Sequence, residues 1–379
     1  MSDKLQLIAT AAFGLEAIVA RELEALGFPD VKVEDGRVRF MGDPVDVCRA
    51  NLWLRSADRV LVQLAEFEAT DFGVLFDRAH ELPWEDWLTE KSAFPVRGRS
   101  VRSQLHSVPD CQRLVKKAIV ERLKQFCSID WFEETGPEVA VDVHLLKDRC
   151  SITLDTSGPG LHKRGYRPLT GEAPLKETLA AALVQLSYWR RDRLLIDPCC
   201  GSGTILIEAA MIGRNMAPGL NRKFAAEAWP RIPARLWEES REAARSQIGP
   251  PLEERLAGYD VAWKPLSLAR EAARLAGVFD DLHLQQRPIA EFSTQKQYGC
   301  LIANPPYGER LGERQEAEEL YRVLGERLHP LETWSHYVLT SHPQFEKLFG
   351  RPATRRRKLF NGRIECNYYQ YPGPRPPRQ

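Results

Sequence analysis

The feature that most constrains the fold is a regular alternation of apolar, strand-like segments with helix-like segments in the second half of the chain. Three strand–helix pairs and one further strand follow one another there: Leu194–Asp197, Thr204–Met211, Leu256–Asp260, Pro265–Leu275, Cys300–Asn304, Glu316–Leu328 and His336–Thr340. Such alternation is typical of a parallel sheet with helices on both faces. After it, Arg357–Phe360 and Arg363–Tyr371 flank Asn361-Gly362, which predicts an antiparallel hairpin. The predicted fold class is therefore α/β, with a mostly parallel sheet that ends in an antiparallel C-terminal hairpin.

Two smaller α+β regions are predicted ahead of this sheet. Residues 1–67 contain a strand-like start, a helical pattern ended by Gly27 and a hairpin signal at Asp35-Gly36. Residues 68–156 contain helix-like and strand-like stretches in mixed order. Because Gly158-Pro159-Gly160 is a boundary signal, the third domain is expected to cover residues 157–379.

Composition excludes several classes of protein. No stretch approaches the roughly 18 apolar residues of a membrane span, and the N-terminus lacks the pattern of a secretory signal. A cytoplasmic protein without membrane attachment is therefore expected. The eight cysteines form no Cys-x-x-Cys pair, and no His pair has zinc spacing. No metal site is expected, and the cysteines are interpreted as free thiols.

Two basic stretches favour a nucleic-acid partner. Eight Lys or Arg lie between Arg97 and Lys124, where only Asp110 and Glu121 oppose them, and five lie in residues 351–358 without any acid. The net charge is only +1, so the basic character is local. One such patch would suit a solvated surface as well, but two favour a phosphate backbone. The candidate RNA-binding residues are Arg97, Arg99, Arg102, Arg113, Lys116 and Lys117.

A glycine-rich turn, Asp197-Pro-Cys-Cys-Gly-Ser-Gly-Thr204, follows the first strand of the predicted parallel sheet. Glycine lets the backbone pass close to a ligand, and open α/β sheets bind ligands at the carboxyl ends of their strands. A dinucleotide fingerprint needs a third glycine where Leu206 stands, so a nicotinamide cofactor is disfavoured. Asp197 instead suits a ligand with a cationic amino-acid head. Asp260, at the end of the next strand, is placed to bind ribose hydroxyls.

The sharpest signal is the loop Asn304-Pro305-Pro306-Tyr307, which ends an apolar strand. The prolines fix an extended backbone and withhold two N–H groups. The side-chain oxygen of Asn304 and the carbonyl of Pro305 can then accept hydrogen bonds from one NH2 group, which aims the nitrogen lone pair at a methyl donor. Tyr307 can stack on an extruded base. These four residues are the predicted catalytic residues, acting by positioning rather than as a strong base.

These motifs, in this order, resemble the class I, Rossmann-like S-adenosylmethionine methyltransferases that methylate amino groups. Asn304–Tyr307 matches the catalytic motif of that family, and Asp197–Thr204 and Asp260 match its cofactor motifs. The resemblance implies S-adenosylmethionine as cofactor.

Two further segments sharpen the resemblance. Leu161–Arg167 and Ala173–Leu179 are similar to the segment before the cofactor strand in bacterial 23S rRNA guanine-N2 methyltransferases. Phe13–Glu16 and the basic second region resemble the N-terminal part of those enzymes, which carries a THUMP RNA-binding domain. The resemblance implies a ferredoxin-like domain and a THUMP domain ahead of the methyltransferase domain, and large-subunit rRNA as partner.

The resemblance also implies individual site residues. Lys176 and Thr178 are expected near the methionine end of the cofactor. The family places an Asp after its third strand to bind adenine, but this chain has Pro288 there, which leaves that contact to backbone groups of Ile289. The expected cofactor-binding residues are Lys176, Thr178, Asp197, Cys199, Gly201, Ser202, Gly203, Thr204, Asp260 and Ile289.

Three functions stay open at this point. The first is methylation of a guanine N2 amino group in RNA. The second is methylation of adenine N6 in DNA or RNA, because an Asn-Pro-Pro-Tyr loop serves both reactions. The third is a non-catalytic RNA-binding factor for ribosome assembly, against which the presence of Asn304 and Asp197 argues and for which Pro288 argues weakly.

Overall fold

The computed structural model describes residues 4–127, 131–167, 175–308 and 313–377. The chain forms two compact units. The first contains residues Met1–Ala11, Val19–Leu161 and Lys223–Ala243, and the second contains Ala12–Ile18, His162–Arg222 and Ala244–Gln379. Each unit is built on one seven-stranded sheet.

The first unit holds the strands of the two N-terminal regions. They are β1 (Leu5–Ala11), β2 (Lys32–Glu34), β3 (Arg37–Gly42), β4 (Ala57–Glu68), β5 (Val96–Val101), β6 (Val141–Leu146) and β7 (Arg149–Asp155), in the spatial order β2-β3-β1-β4-β7-β6-β5. The helices in this part of the chain are α1 (Glu16–Ala25), α2 (Pro44–Trp53), α3 (Phe72–His80) and α4 (Val108–Leu123).

The long strand β4 makes one sheet of the two predicted N-terminal regions. It pairs antiparallel with β1 on one side and with β7 on the other. The only parallel pair among the described strands of this unit is β5 with β6. Apolar residues at helical spacing, Val115, Ile119 and Leu123, bury the inner face of α4.

Residues 223–243 also belong to the first unit, which corrects the prediction that they form part of the third domain. Trp229 and Trp237 are each 2% exposed and lie in the hydrophobic core of the first unit. The indole of Trp229 donates to the carbonyl of Glu138 at 3.0 Å, and the ring of Trp237 stacks on Phe224. Burial of these large rings explains why the segment packs there.

The second unit contains the predicted α/β sheet. Its strands are β8 (Leu195–Asp197), β9 (Leu256–Asp260), β10 (Leu282–Gln286), β11 (Cys300–Ala303), β12 (Ser335–Thr340), β13 (Arg355–Asn361) and β14 (Ile364–Tyr371), in the spatial order β10-β9-β8-β11-β12-β14-β13. The helices of this unit are α5 (Glu177–Leu186), α6 (Thr204–Gly213), α8 (Trp263–Ala276), α9 (Glu313–Leu328) and α10 (Phe345–Phe349). The helix between α6 and α8 in sequence, α7 (Ala234–Ser246), has residues 234–243 in the first unit.

The pairing of these strands confirms the predicted fold class. The strands β10, β9, β8, β11 and β12 run parallel to one another. β14 pairs antiparallel with β12, and β13 pairs antiparallel with β14. Residues of β11 alternate between two cores: Cys300 and Ile302 pack with α5, α6 and α8, and Leu301 and Ala303 pack with α9 and α10. Helices therefore cover both faces. The strand order reverses between β8 and β11, and a doubly wound sheet opens a ligand crevice at such a point.

Candidate active site

The glycine-rich turn joins β8 to α6 at this crevice. Gly201 and Gly203 have φ values of 52° and 75°, a left-handed conformation that favours glycine. A Cβ at Gly203 would lie 3.0 Å from the Cβ of Ala269 on α8, whereas a Cβ at Gly201 would meet nothing within 4 Å. Gly203 therefore packs the turn against the protein, and Gly201 faces open space that a ligand can enter.

Two carboxylates flank this turn. Asp197 is 2% exposed, and burial, together with the nearby charge of Asp260, raises its pKa to about 8. Its Oδ1 accepts the backbone N–H of Cys199 at 3.1 Å. Asp260 accepts the N–H of Gly201 at 2.9 Å through Oδ2 and the N–H of Ala262 at 2.9 Å through Oδ1. The structure thus brings Asp260 against the glycine turn, and each of its oxygens keeps a lone pair for a ligand hydroxyl.

The remaining polar residues of the predicted cofactor set lie at the starts of α5 and α6. Thr178 and Thr204 are buried, Lys176 is exposed, and Ser202 lies 3.4 Å from Thr204, hydroxyl to hydroxyl. Burial raises the pKa of the Cys199 thiol, so this cysteine stays neutral and offers a small neutral surface.

Arg167, which was not among the predicted site residues, ties these two helix starts together. Its Nη2 donates to Thr204 Oγ1 and to the carbonyl of Leu175, both at 2.9 Å. Its Nη1 lies 3.3 Å from the buried carboxylate of Glu177. The sequence shows that Arg167 belongs to a basic segment before α5, but only the fold shows that this arginine reaches α6.

An exposed apolar side chain directly follows Asp260. Val261 is 67% exposed, and its carbonyl accepts a hydrogen bond from Gln286 Nε2 at 2.8 Å. The side chain of Ile289 is buried, and Ile289 is the first residue of a short 3₁₀ turn. Its backbone N–H therefore has no hydrogen-bond partner within that turn. A buried carboxylate, a second carboxylate, an open glycine turn and an exposed apolar side chain together fit an adenosyl amino acid. Val261 was not among the predicted site residues. The sequence signal that could have identified it is its position as an apolar residue directly after Asp260.

The loop after β11 holds Asn304 in a defined orientation. The phenol of Tyr307 donates to Asn304 Oδ1 at 2.6 Å and accepts from Asn361 Nδ2 at 3.3 Å. Burial raises the pKa of Tyr307, so the phenol keeps its proton and remains a donor. The Tyr307 ring packs against the core that also contains residues of α5, α6 and α8, and its hydroxyl supports Asn304. An amide oxygen has two lone pairs, and Asn304 therefore keeps one for a second donor.

The predicted RNA-binding cations lie in the first unit, and most of them are paired. Arg113 pairs with Asp110 and Lys116 with Glu134. Arg97 lies 3.2 Å from Glu138 and Lys117 lies 3.5 Å from Glu121. Counting charges within 97–124 missed Glu134 and Glu138, because these acids follow that stretch in sequence.

Arg99 and Arg102 differ from the other cations. Both are exposed, and within the part of the chain that the structure describes no carboxylate lies within 4.0 Å of either. They are therefore the members of the set whose positive charge is least compensated.

Two classes of feature are absent among the described residues. No group of three or more His, Cys, Asp or Glu is arranged to hold a metal ion. No described helix combines the length and the apolar character needed to cross a membrane.

Comparison with protein families decides the membership of the chain. The model of the RMKL-like methyltransferase domain matches residues 164–370, which is more than half of the chain. The chain belongs to this family. Models of the RlmL ferredoxin-like domain and of the THUMP domain match residues 6–61 and 69–155. The expected fold, with both N-terminal domains, is thereby confirmed, as is S-adenosylmethionine as the methyl donor of this methyltransferase.

Curated relatives extend over nearly the whole chain. YpsC of Bacillus subtilis, named as a candidate RNA methyltransferase, is 50% identical over 97% of this chain and 96% of its own length. The ribosomal RNA large subunit methyltransferase K/L of Syntrophotalea carbinolica is 36% identical over 98% of this chain. The chain spans 54% of that relative's length.

Solved structures agree in fold. SMU.472, described as a candidate methyltransferase and complexed with S-adenosylhomocysteine (SAH), is 44% identical over all of both chains with a TM-score of 0.93. A Listeria monocytogenes protein, described as a predicted N6-adenine-specific DNA methylase, is 48% identical over 98% of this chain and 97% of its own, also with a TM-score of 0.93.

Proposed function

We propose that this protein transfers a methyl group from S-adenosylmethionine to the exocyclic N2 amino group of a guanine in RNA, with large-subunit rRNA as substrate. The observation that carries the proposal is the Tyr307–Asn304 contact at the carboxyl end of β11, in the unit that also holds the glycine turn. Such an arrangement provides an oriented acceptor beside a cofactor crevice, which is what methylation of an amino group requires.

In this proposal the cofactor is held by residues of the crevice. Asp197 faces the ammonium group, Asp260 faces the ribose hydroxyls, and Val261 with the N–H of Ile289 faces the adenine. Lys176, Thr178 and the turn residues Cys199 to Thr204 border the methionine end. When bound, S-adenosylmethionine supplies an electrophilic methyl carbon. The loss of the usual adenine-binding Asp at Pro288 places more of the adenine contact on apolar surface.

The amino group is positioned by the loop of residues 304–307. Asn304 Oδ1, fixed by the Tyr307 phenol, and the carbonyl of Pro305 each accept one N–H of the amino group. These two bonds draw the lone pair out of conjugation with the base and orient it. The new bond joins nitrogen to the methyl carbon, the carbon–sulfur bond breaks, and the displaced proton leaves to water. Positioning of this kind can lower the activation free energy by several kcal/mol, which is about the effect of one oriented polar contact.

The first unit is proposed to bind the RNA. The THUMP match over residues 69–155 contains all six candidate cations. Among them, Arg99 and Arg102 are proposed as the main phosphate contacts, because the others would first have to leave a carboxylate partner. The names of the K/L relatives support rRNA as substrate, which this protein would meet in the cytoplasm. The domain boundaries at residues 67/68 and 156/157 also remain a proposal.

A second candidate is methylation of adenine N6, favoured by the description of the Listeria structure. Both reactions capture an NH2 group with the same two acceptors, so the loop does not distinguish them. The THUMP domain and the relatives named for rRNA favour RNA over DNA, and the choice of guanine rests on the resemblance of the sequence to guanine-N2 methyltransferases.

The nucleosides of rRNA separate these candidates. Large-subunit rRNA from cells that lack this protein is digested and compared by mass spectrometry with rRNA from cells that carry it. We expect one N2-methylguanosine to be missing. A missing N6-methyladenosine would support the second candidate, and an unchanged nucleoside profile would contradict both.

A further inference from the structure

A buried tyrosine on α9, Tyr321, is hydrogen-bonded to the catalytic loop. Tyr321 is 0% exposed. Its hydroxyl lies 2.7 Å from the carbonyl oxygen of Pro306 and 2.9 Å from Thr340 Oγ1 at the end of β12. A carbonyl can only accept a hydrogen bond. The single phenolic hydrogen therefore goes to Pro306, and the Thr340 hydroxyl must donate to Tyr321.

This assignment makes a directed chain of hydrogen bonds. The N–H of His342 donates to Thr340 Oγ1 at 3.1 Å, Thr340 donates to Tyr321, and Tyr321 donates to Pro306. Each bond polarises the next and strengthens it. Burial raises the pKa of Tyr321 to about 12, so the phenol remains a donor across the physiological range.

The two prolines explain why this contact matters for the loop. Pro305 and Pro306 have no N–H, so only their carbonyls can anchor the backbone by hydrogen bonds. The residue before a proline is restricted to extended conformations, and consecutive carbonyls of such a polyproline-like backbone point in different directions, with about three residues per turn. Once the Pro306 carbonyl is held against Tyr321, the Pro305 carbonyl is turned to another side.

We propose that Tyr321 is a positioning residue for methyl transfer, which acts by fixing the Pro306 carbonyl and thereby the direction of the Pro305 carbonyl. The inference rests on the proposed function of the loop, in which Pro305 accepts one N–H of the amino group. Tyr321 itself touches neither base nor cofactor in this account. Its loss should slow the chemical step and leave both binding steps unchanged.

A matched control is available in the same unit. Tyr371 is 3% exposed, and its hydroxyl donates to the carbonyl of Arg351 at 3.1 Å. It pairs with His336 near the start of β12, whereas the catalytic loop follows the end of the neighbouring strand β11. Tyr321→Phe and Tyr371→Phe each remove one hydroxyl-to-carbonyl hydrogen bond and keep the ring, and Tyr321→Phe also removes the acceptor of the Thr340 hydroxyl. Both should lower Tm, Tyr321→Phe by more, so rates are compared at a temperature at which circular dichroism shows both variants fully folded, and a difference in rate is then not an effect of stability.

The experiment is single-turnover transfer of tritiated methyl groups to rRNA from cells that lack this protein, at saturating RNA and cofactor. Tyr321→Phe should lower the rate about tenfold, the effect of losing one hydrogen bond that holds the reacting geometry. The Kd for SAH and the RNA concentration for half-saturation should stay within twofold of wild type. Tyr371→Phe should keep the wild-type rate. In an Asn304→Ala background the effect of Tyr321→Phe should shrink to less than threefold, because the pair of acceptors is already broken.

Equal rates for the two Phe variants would overturn the proposal, as would a tenfold loss of affinity for SAH in Tyr321→Phe with an unchanged saturated rate. If Tyr321→Phe does not fold, Thr340→Val provides the test, since it removes the donor to Tyr321 and preserves shape. It should lower the rate by a few fold. The comparison measures label in whichever nucleoside the wild type methylates, so a label in adenosine would refute guanine as substrate and leave the test of Tyr321 intact.

Discussion

The raised pKa of Asp197 predicts that cofactor binding releases a proton. In the ligand-free protein this buried carboxyl has a pKa of about 8, so at pH 7 it is largely protonated. A cationic ammonium group beside it would favour the ionised form. Binding near neutral pH therefore has to remove the proton, and the observed affinity should rise with pH until Asp197 is ionised in the free protein.

The magnitude follows from the distance between the pKa and the pH. At one pH unit below the pKa roughly 90% of the free protein carries the proton, so about 0.9 proton per site should be released at pH 7. Between pH 6 and pH 7 the Kd for SAH should fall about tenfold, which is about 1.4 kcal/mol. The ligand's own amino group stays mostly protonated in this window, because α-amino groups titrate at about 7.7–8.0.

Isothermal titration calorimetry measures both quantities. Repeating the titration in buffers of different ionisation enthalpy gives the number of protons released, and titrations at pH 6 and 7 give the Kd ratio. Asp197→Asn should bind more weakly and lose the pH dependence over this window. Asp260→Asn should shift the dependence to lower pH, because the charge of Asp260 helps to raise the pKa of Asp197. A Kd independent of pH, with no proton released by the wild type, would refute the ammonium contact assigned to Asp197.

Three other predictions test separate parts of the account. Replacing Arg99 and Arg102 together by Gln should weaken RNA binding and lower its salt slope by about two, measured by fluorescence anisotropy; an equal effect of Arg113→Gln, whose cation is paired, would contradict the assigned contacts. Gly203→Ala should lower stability in thermal unfolding by at least about 1–2 kcal/mol because of its left-handed backbone and the Ala269 contact, and more than Gly201→Ala does; equal losses would argue against that contact. Tyr307→Phe should slow single-turnover methyl transfer about tenfold by freeing the Asn304 amide, with SAH binding unchanged; a wild-type rate would show that the phenol does not orient Asn304.

The periodic parts of the fold could be predicted because their signals are local. The helix predicted at Thr204–Met211 matches α6, and the Asn361-Gly362 turn closes the hairpin of β13 and β14. The long strand β4 was missed because its pairing with β7 links residues far apart in sequence. The packing of Trp229 and Trp237 in the hydrophobic core of the first unit was missed for the same reason, since no local sequence pattern specifies a packing partner far away in sequence.

The candidate site shows the same division. The glycine turn and Asp260 could be singled out because the ends of neighbouring parallel strands meet at one edge of a sheet, and the structure places them in direct contact. The bonds that hold the site could not be predicted. Arg167 reaches Thr204, Tyr307 reaches Asn304 and Tyr321 reaches Pro306 through side-chain orientations that sequence spacing does not determine.

In the proposed mechanism Asn304 orients an amino group of an RNA base for methyl transfer. The most direct measurement is single-turnover transfer to large-subunit rRNA that lacks the modification, with the product nucleoside identified by mass spectrometry. We expect N2-methylguanosine with the wild-type protein and a rate lower by a factor of about 10²–10³ with Asn304→Ala, while the Kd for SAH stays unchanged. A near-wild-type rate for Asn304→Ala would contradict the mechanism, and a methylated nucleoside other than N2-methylguanosine would contradict the proposed substrate.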